Sequence, residues 1–395
     1  NAGNFPLKDE PGYEDIFNTV RKNGNFSATT DINDAISKSN LILLSLPTPM
    51  DKNNIPTYLA LESVGKQLNE CLQSNSLVVV ESTIEPGFIE NVMIEIIEMG
   101  SRLQAGKNFT IGVCPENANP GEILHDFTSL PRLVGGIDEQ VTKIIALIYD
   151  FVFSVELITM PDCKTANAVK LTTNVFRDVN IAFVNELSLM FEKLGIDTLK
   201  VLDAAKRKYN FQIHYPGAGV GGPCLPINSY QFLNTAKRIG SELNIIKHSR
   251  AINEKMPDHI INLTLDGFKK CNKTIKDSTV LILGVSYKPD VKDIQLSPAE
   301  IIINKLKALG AKIRIYDPYY KDNQVFGIYA EHNIQDILSD VDASIIVTAH
   351  KEFQEINPKI FTKMKNPILI DARGVVDISS ANNAGLVFRG LGRSV

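Results

Sequence analysis

The chain has no tryptophan, only six histidines and only five cysteines in 395 residues. Cys71, Cys114, Cys163, Cys224 and Cys271 are scattered, odd in number and form no Cys-x-x-Cys pair. That excludes a disulfide framework and a structural zinc site, and the histidines lack metal-ligand spacing. No apolar run is long enough to span a bilayer, and no signal-peptide pattern is present. The net charge is −4 and no basic run stands out. Neither a nucleic acid nor a membrane is therefore expected as a partner. A reducing, cytoplasmic setting is expected. Because the chain opens on Asn1-Ala2-Gly3 rather than Met, its natural N-terminus is expected further upstream.

What is present is the balance of an ordinary globular protein, 44% hydrophobic and 22% charged. Continuous apolar runs at 41–46, 77–80 and 109–113 suit buried parallel strands, with helical patterns between them such as Ile89 to Met99. A long helix is predicted from about Pro161 to Leu194, stopped by Gly195. It is apolar on more than one face, so it should be buried on several sides, join domains and form a dimer interface. The strand rhythm restarts at 279–284, 312–317, 343–348 and 368–371, with a helix over 298–309. The fold class expected is α/β, with two Rossmann-like doubly wound domains joined by a helical middle domain built on a long central helix. The boundaries fall at 1–158, 159–272 and 273–395.

The strongest chemical signal is the loop Pro216-Gly217-Ala218-Gly219-Val220-Gly221-Gly222-Pro223-Cys224-Leu225-Pro226. Glycines let a backbone approach a ligand closely. A thiol ending such a loop can attack a bound carbonyl. Set against this, an isolated cysteine is commonly inert and buried. Lys170 and Asn174 share a helix face, where they could hold a developing oxyanion or a water, with Arg177 at i+7 near phosphate. On a helix, however, a solvated lysine is the commoner case. Glu116 follows a strand and could act through a water. Thr48 and Thr83, at strand ends, could bond a cofactor or the water. Asp317 ends a strand after Gly284, but Leu283-Gly284-Val285-Ser286-Tyr287-Lys288 lacks Gly-x-Gly-x-x-Gly. Nicotinamide binding there is unsupported, and a nucleotide with Lys288 near its phosphates is the alternative.

Taken together these pieces resemble the UDP-glucose/GDP-mannose dehydrogenase family. The matching segments are Leu46-Pro47-Thr48-Pro49, Glu81-Ser82-Thr83-Ile84-Glu85-Pro86-Gly87, Cys114-Pro115-Glu116, Lys170 with Asn174, Gly221-Gly222-Pro223-Cys224, Ser249-Arg250-Ala251-Ile252-Asn253, Tyr287-Lys288-Pro289-Asp290 and Ile315-Tyr316-Asp317-Pro318. The resemblance implies two hydride transfers to NAD, taking the C6 alcohol of a UDP-sugar to a carboxylate. Cys224 would carry the thiohemiacetal and thioester, with Lys170, Asn174, Glu116 and Asn228 as its catalytic companions. Pro47, Thr48, Thr83 and Cys224 would border the cofactor, and Thr83 with Glu116 would organise the hydrolytic water. Glu116, Lys170, Arg177, His214, Gly217, Gly219, Gly221, Arg250 and Lys288 would bind the sugar nucleotide. A homodimer or homotetramer is implied.

Three departures from the family pattern stand out. The opening strand with its glycine fingerprint is missing. Asn228 replaces a common aspartate, and Gln295-Leu296 replaces an Arg-Glu pair. The run Cys114 to Gly121, with Pro120 where the UDP-glucose branch carries a glutamate, resembles the UDP-N-acetylhexosamine branch. UDP-N-acetyl-D-mannosamine is favoured, ahead of UDP-N-acetylglucosamine and UDP-glucose. A two-electron hydroxyacid dehydrogenase and a non-catalytic nucleotide-sugar binding subunit remain as alternatives.

Overall fold

A computed structural model describes residues 3–5, 12–119 and 121–393. Pro120 lies outside the described residues, as do Asn1 and Ala2. The chain divides into two compact units. The first runs to Asn174 and takes in Ile227–Glu242, and the second is Val175–Pro226 with Leu243–Val395.

The first unit is built on a sheet of β1 (Leu41–Leu44), β2 (Ser76–Val80), β3 (Phe109–Val113), β4 (Arg132–Gly136) and β5 (Leu157–Thr159), lying in that order. All neighbours are parallel except β3 and β4. The helices α1 (Leu59–Cys71) and α2 (Glu139–Phe153) cover its faces. Val78, Val80, Ile111 and Val113 pack with Leu61 and Leu68 of α1, while Leu77, Val79 and Val134 pack with Val141, Ile145 and Tyr149 of α2. Burial on both faces is why β2 and β3 read as continuous apolar runs, each large apolar side chain contributing about 1.5–3 kcal/mol, whereas the edge strand β1 leaves Leu41 and Leu43 exposed. β4 did not read as a strand, since it opens on Arg132 and ends on two glycines. Of the helix expected over 89–99, Ile89–Met93 winds as a π turn and Ile94–Glu98 as an α-helix.

The central helix α3 (Cys163–Leu194) begins after Asp162, whose carboxylate accepts the Thr165 amide at 2.7 Å. It ends before Gly195, at φ +72°. Its last part, in the second unit, buries Val175, Ala182 and Val184 but leaves Phe176, Phe183 and Met190 about half exposed. The helix is thus not buried all round. After α4 (Thr198–Ala205) the glycine loop leads into α5 (Leu225–Arg238) and α6 (Asn244–Lys270). Asn228 sits in the first turn of α5.

The second unit also holds an all-parallel sheet of β6 (Thr279–Leu283), β7 (Lys312–Tyr316), β8 (Ala343–Ile346), β9 (Ile368–Asp371) and β10 (Val387–Gly390), with α7 (Pro298–Ala308) between β6 and β7. The order β10-β9-β8-β6-β7 reverses direction at β6, as in doubly wound nucleotide folds. α6 and α7 cover one face, and Phe353, Phe361 and Phe388 the other.

Candidate active site

In the first unit the carboxyl ends of β1, β2 and β3 carry Pro47-Thr48, Ser82-Thr83 and Cys114-Pro115-Glu116, where open α/β sheets bind ligands. Thr48 Oγ1 donates to the Thr83 carbonyl at 2.9 Å. Both residues are half-buried. Glu116 is held from two sides. Its Oε1 accepts the Asn117 and Ala118 amides at 2.6 and 2.7 Å, and its Oε2 accepts Arg132 Nη2 at 3.0 Å. Arg132 is buried and lies over the rings of Phe153 at 4.0 Å, Phe127 at 4.7 Å and Tyr149 at 5.6 Å. The rings supply negative faces that offset the desolvation of the guanidinium. A carboxylate already accepting three hydrogen bonds is fixed in direction, which suits it to aim a water.

Lys170 and Asn174 are both buried on α3, so the solvated lysine does not describe this chain. Lys170 Nζ donates to Asn117 Oδ1 at 2.8 Å. Asn174 Nδ2 donates to Asn228 Oδ1 at 2.6 Å, Asn228 Nδ2 to Gln231 Oε1 at 3.0 Å, and Gln231 Nε2 to the Thr83 carbonyl at 3.1 Å. Arg177, expected beside this pair at i+7, is exposed and belongs to the other unit.

In the second unit the glycine loop packs against protein. A Cβ on Gly217 would strike Arg373, and one on Gly221 would strike the Leu296 carbonyl. Gly222, at φ +86°, would place its Cβ 2.5 Å from the Tyr287 ring. Gly222 N donates to the Gln295 carbonyl at 2.9 Å, so the Gln295-Leu296 departure serves as a backstop for this loop. Gly217 N donates to Asn185 Oδ1 at 2.9 Å. The close approach these glycines permit is therefore to Tyr287, Leu296 and Arg373. The spacing of Gly217, Gly219 and Gly222 formally matches a phosphate fingerprint, yet no strand precedes it.

The loop delivers Cys224 to the residue before α5, and it is the one exposed cysteine of the five. Cys114 and Cys163 are fully buried. Burial pushes the Cys114 thiol up to about 12 against the pull of Arg132, and pushes Cys163 up as well, so both are poor nucleophiles. His214 is half-buried and edge-on to Phe176, and burial first, then Arg177, lowers its pKa. Lys288 is half-buried. Arg250 is buried in an ion pair with Asp178 at 2.9 Å and another with Glu254 at 3.2 Å. Asn253 Nδ2 donates to the same Asp178 at 2.8 Å, and Asn253 Oδ1 accepts Asn185 Nδ2 at 2.9 Å.

Asp317, the strand-end acid, is turned inward. It accepts the Val285 amide at 2.7 Å, the Ser286 amide at 3.3 Å and the His350 ring at 3.1 Å. It therefore closes the turn after β6 and is not open to a ribose. Arg132 and Gln231 were missed by sequence reasoning. Arg132 offered one local signal, a lone charge in the apolar run ended by Gly135-Gly136; Gln231 offered none.

One α/β unit with hydroxyls and a caged carboxylate at its strand ends, and a second whose strand order reverses as in nucleotide folds, define a nucleotide-binding α/β protein. Residues 1–152 match the NAD binding domain of the UDP-glucose/GDP-mannose dehydrogenase family, 164–255 its central domain and 281–378 its UDP binding domain. The chain belongs to that family, and is an NAD-dependent UDP-sugar dehydrogenase. The UDP-N-acetyl-D-mannosamine dehydrogenase of Pyrococcus horikoshii is 31% identical over 97% of this chain and 88% of its own. A solved structure of a UDP-D-ManNAc dehydrogenase from the same organism matches with TM-score 0.90 and 30% identity, covering 98% of this chain and 88% of that one. The UDP-N-acetyl-D-glucosamine 6-dehydrogenase of Salmonella typhi is 30% identical over 81% of this chain and 76% of its own.

The donor set at the strand ends, hydroxyls and backbone groups on a parallel carboxyl edge, fits the polar nicotinamide half of NAD. No turn after a strand of the first unit carries Gly-x-Gly-x-x-Gly among the described residues, so the pyrophosphate clamp is not one of the groups placed here.

Proposed function

We propose that this chain oxidises the C6 hydroxyl of UDP-N-acetyl-D-mannosamine to the uronate, through a thiohemiacetal and a thioester on Cys224. The observation that carries this reading is that Cys224 alone of the five cysteines is exposed, at the end of a loop fixed by its packing. NAD supplies the chemistry of hydride acceptance, twice per sugar. The Cys224 sulfur adds to C6 of the aldehyde, forming the C–S bond. After the second oxidation a water attacks that carbon and the C–S bond breaks, returning the thiol and releasing the carboxylate. Lys170 donates to the oxygen that carries negative charge in the additions, and Asn174 holds that oxygen or the water. Glu116, with Thr83, orients the water. Pro47, Thr48 and Thr83 border the nicotinamide. Arg177, His214, Lys288 and the Gly217–Gly221 backbone bind the nucleotide sugar, with Arg250 behind them. The division of labour is 1–158 for cofactor, 159–272 for assembly together with the thiol, the Lys–Asn pair and most sugar contacts, and 273–395 for UDP.

The N-acetylmannosamine branch is favoured by the Pyrococcus relative and by the Glu116-Asn117-Ala118-Asn119 run. The protein is assigned to the cytoplasm; no helix among the described residues is long and apolar enough to cross a membrane. Purified protein given UDP-N-acetyl-D-mannosamine, its C2 epimer and UDP-glucose should give the highest kcat/KM with the first. Preference for either of the others would overturn the substrate assignment.

A stripe on α3, with Phe176, Phe183, Met190 and Leu194 exposed and Asn180 and Leu187 half-buried, repeats at alternating steps of four and three. That is the spacing of a helix seam facing another helix. It supports a homodimer, or a homotetramer containing one.

A further inference from the structure

The three side-chain amides of Asn174, Asn228 and Gln231 form a ladder whose direction is set from one end. A backbone carbonyl can only accept, and the ladder ends on the carbonyl of Thr83. Gln231 must therefore present its NH2 to Thr83 and its Oε1 to Asn228. Asn228 must then present its Oδ1 to Asn174. Asn174 Nδ2 is thereby turned toward Asn228, which puts Oδ1 on the other side of the amide, and this atom accepts no hydrogen bond among the described residues. Asn228 and Gln231 are 3% and 0% exposed, so water cannot repair a reversed amide. The same Thr83 carbonyl accepts Thr48 Oγ1, so the ladder begins at the cofactor-side threonines.

We infer that Gln231 is a positioning residue for the reaction: with Asn228 it replaces a titrating carboxylate by a proton-neutral amide ladder that holds Asn174 with its oxygen toward the reacting water or hydroxyl. The inference rests on the reading above for what Asn174 touches. A carboxylate at position 228 would still accept from Asn174, but it would meet Gln231 Oε1 as acceptor against acceptor. Flipping Gln231 only moves the clash to the Thr83 carbonyl. Asn228 and Gln231 are thus a matched pair. The charged and titratable groups around the ladder are Lys170, one turn before Asn174 on α3, and Tyr58, Glu85 and Arg238 on the Gln231 side. Burial raises Tyr58, so it supplies no proton near neutrality, and Glu85 is paired with Arg238.

The test is Asn228→Asp alone, Gln231→Met alone, and the two combined. In the absence of substrate and cofactor, the melting temperature of Asn228→Asp should match the parent near pH 4 and fall behind by several degrees as pH rises. The introduced carboxyl is then forced to ionise against the Gln231 acceptor, whereas at low pH it can donate to Gln231. The combined variant should recover most of that loss, since the clashing oxygen is gone. With substrate, kcat of Asn228→Asp at pH 8 should fall about tenfold or more with KM little changed, and recover on acidification. Gln231→Met alone should lower kcat more than it raises KM. A pH-independent Asn228→Asp variant, or no recovery in the combined variant, would overturn the ladder. Because the melting arm needs no turnover, it stands or falls apart from the role of Cys224.

Discussion

Arg132 shows how a single side chain sets the geometry of its neighbours. Its guanidinium is removed from water by Phe127, Tyr149 and Phe153, yet it points one N–H at Glu116 and lies 3.9 Å from Cys114. Arg132→Met should lower kcat by roughly 10²-fold through loss of the aimed carboxylate. KM for the UDP-sugar should move little, and Arg132→Lys should regain part of the rate, as steady-state kinetics would measure. A rise in KM at unchanged kcat would contradict this role. At this scale Cys224, Lys170, Asn174 and Glu116 could be singled out as candidates because their residue types carry chemistry and stand in short motifs. Arg132 and Gln231 were not, because their work is done through contacts 16 and 148 residues away in sequence.

Among the elements, the turn after β6 is the one whose sequence reading the structure redirected most. A strand-end acid is expected to bind ribose, but Asp317 is fully buried and binds its own fold. Burial alone would push its carboxyl up; the His350 ring and the Val285 and Tyr319 amides outweigh that and hold it below the usual range. A carboxyl lowered on folding stabilises the native state above the unfolded value of about 4, and that stabilisation is lost as pH falls through the folded value. The melting temperature of the parent should therefore exceed that of Asp317→Asn near neutral pH, with the gap shrinking on acidification below about pH 4. A gap constant from pH 3 to 7 would contradict the assignment. The central apolar strands were legible because both of their faces are covered. β4 and β10 escaped because Arg132, Arg389 and their glycines break the apolar pattern.

At the scale of the whole molecule, assembly and turnover are the two open quantities. The seam on α3 predicts that sedimentation at micromolar concentration gives a dimer or a tetramer. Phe183→Glu, which puts a charge at the middle of the stripe, should shift the population toward monomer. A native protein that sediments as a monomer would contradict the seam. Composition led us to expect neither nucleic acid nor disulfides as organising features, and the family match makes the cofactor NAD. Neither fixes how many electrons each sugar yields. The most direct test of the four-electron account is the ratio of NADH formed to UDP-N-acetyl-D-mannosamine consumed, measured for the native chain and for Cys224→Ala. The account predicts two NADH per sugar with the uronate as product, and loss of uronate formation in the variant. One NADH per sugar, or full uronate formation without Cys224, would contradict it.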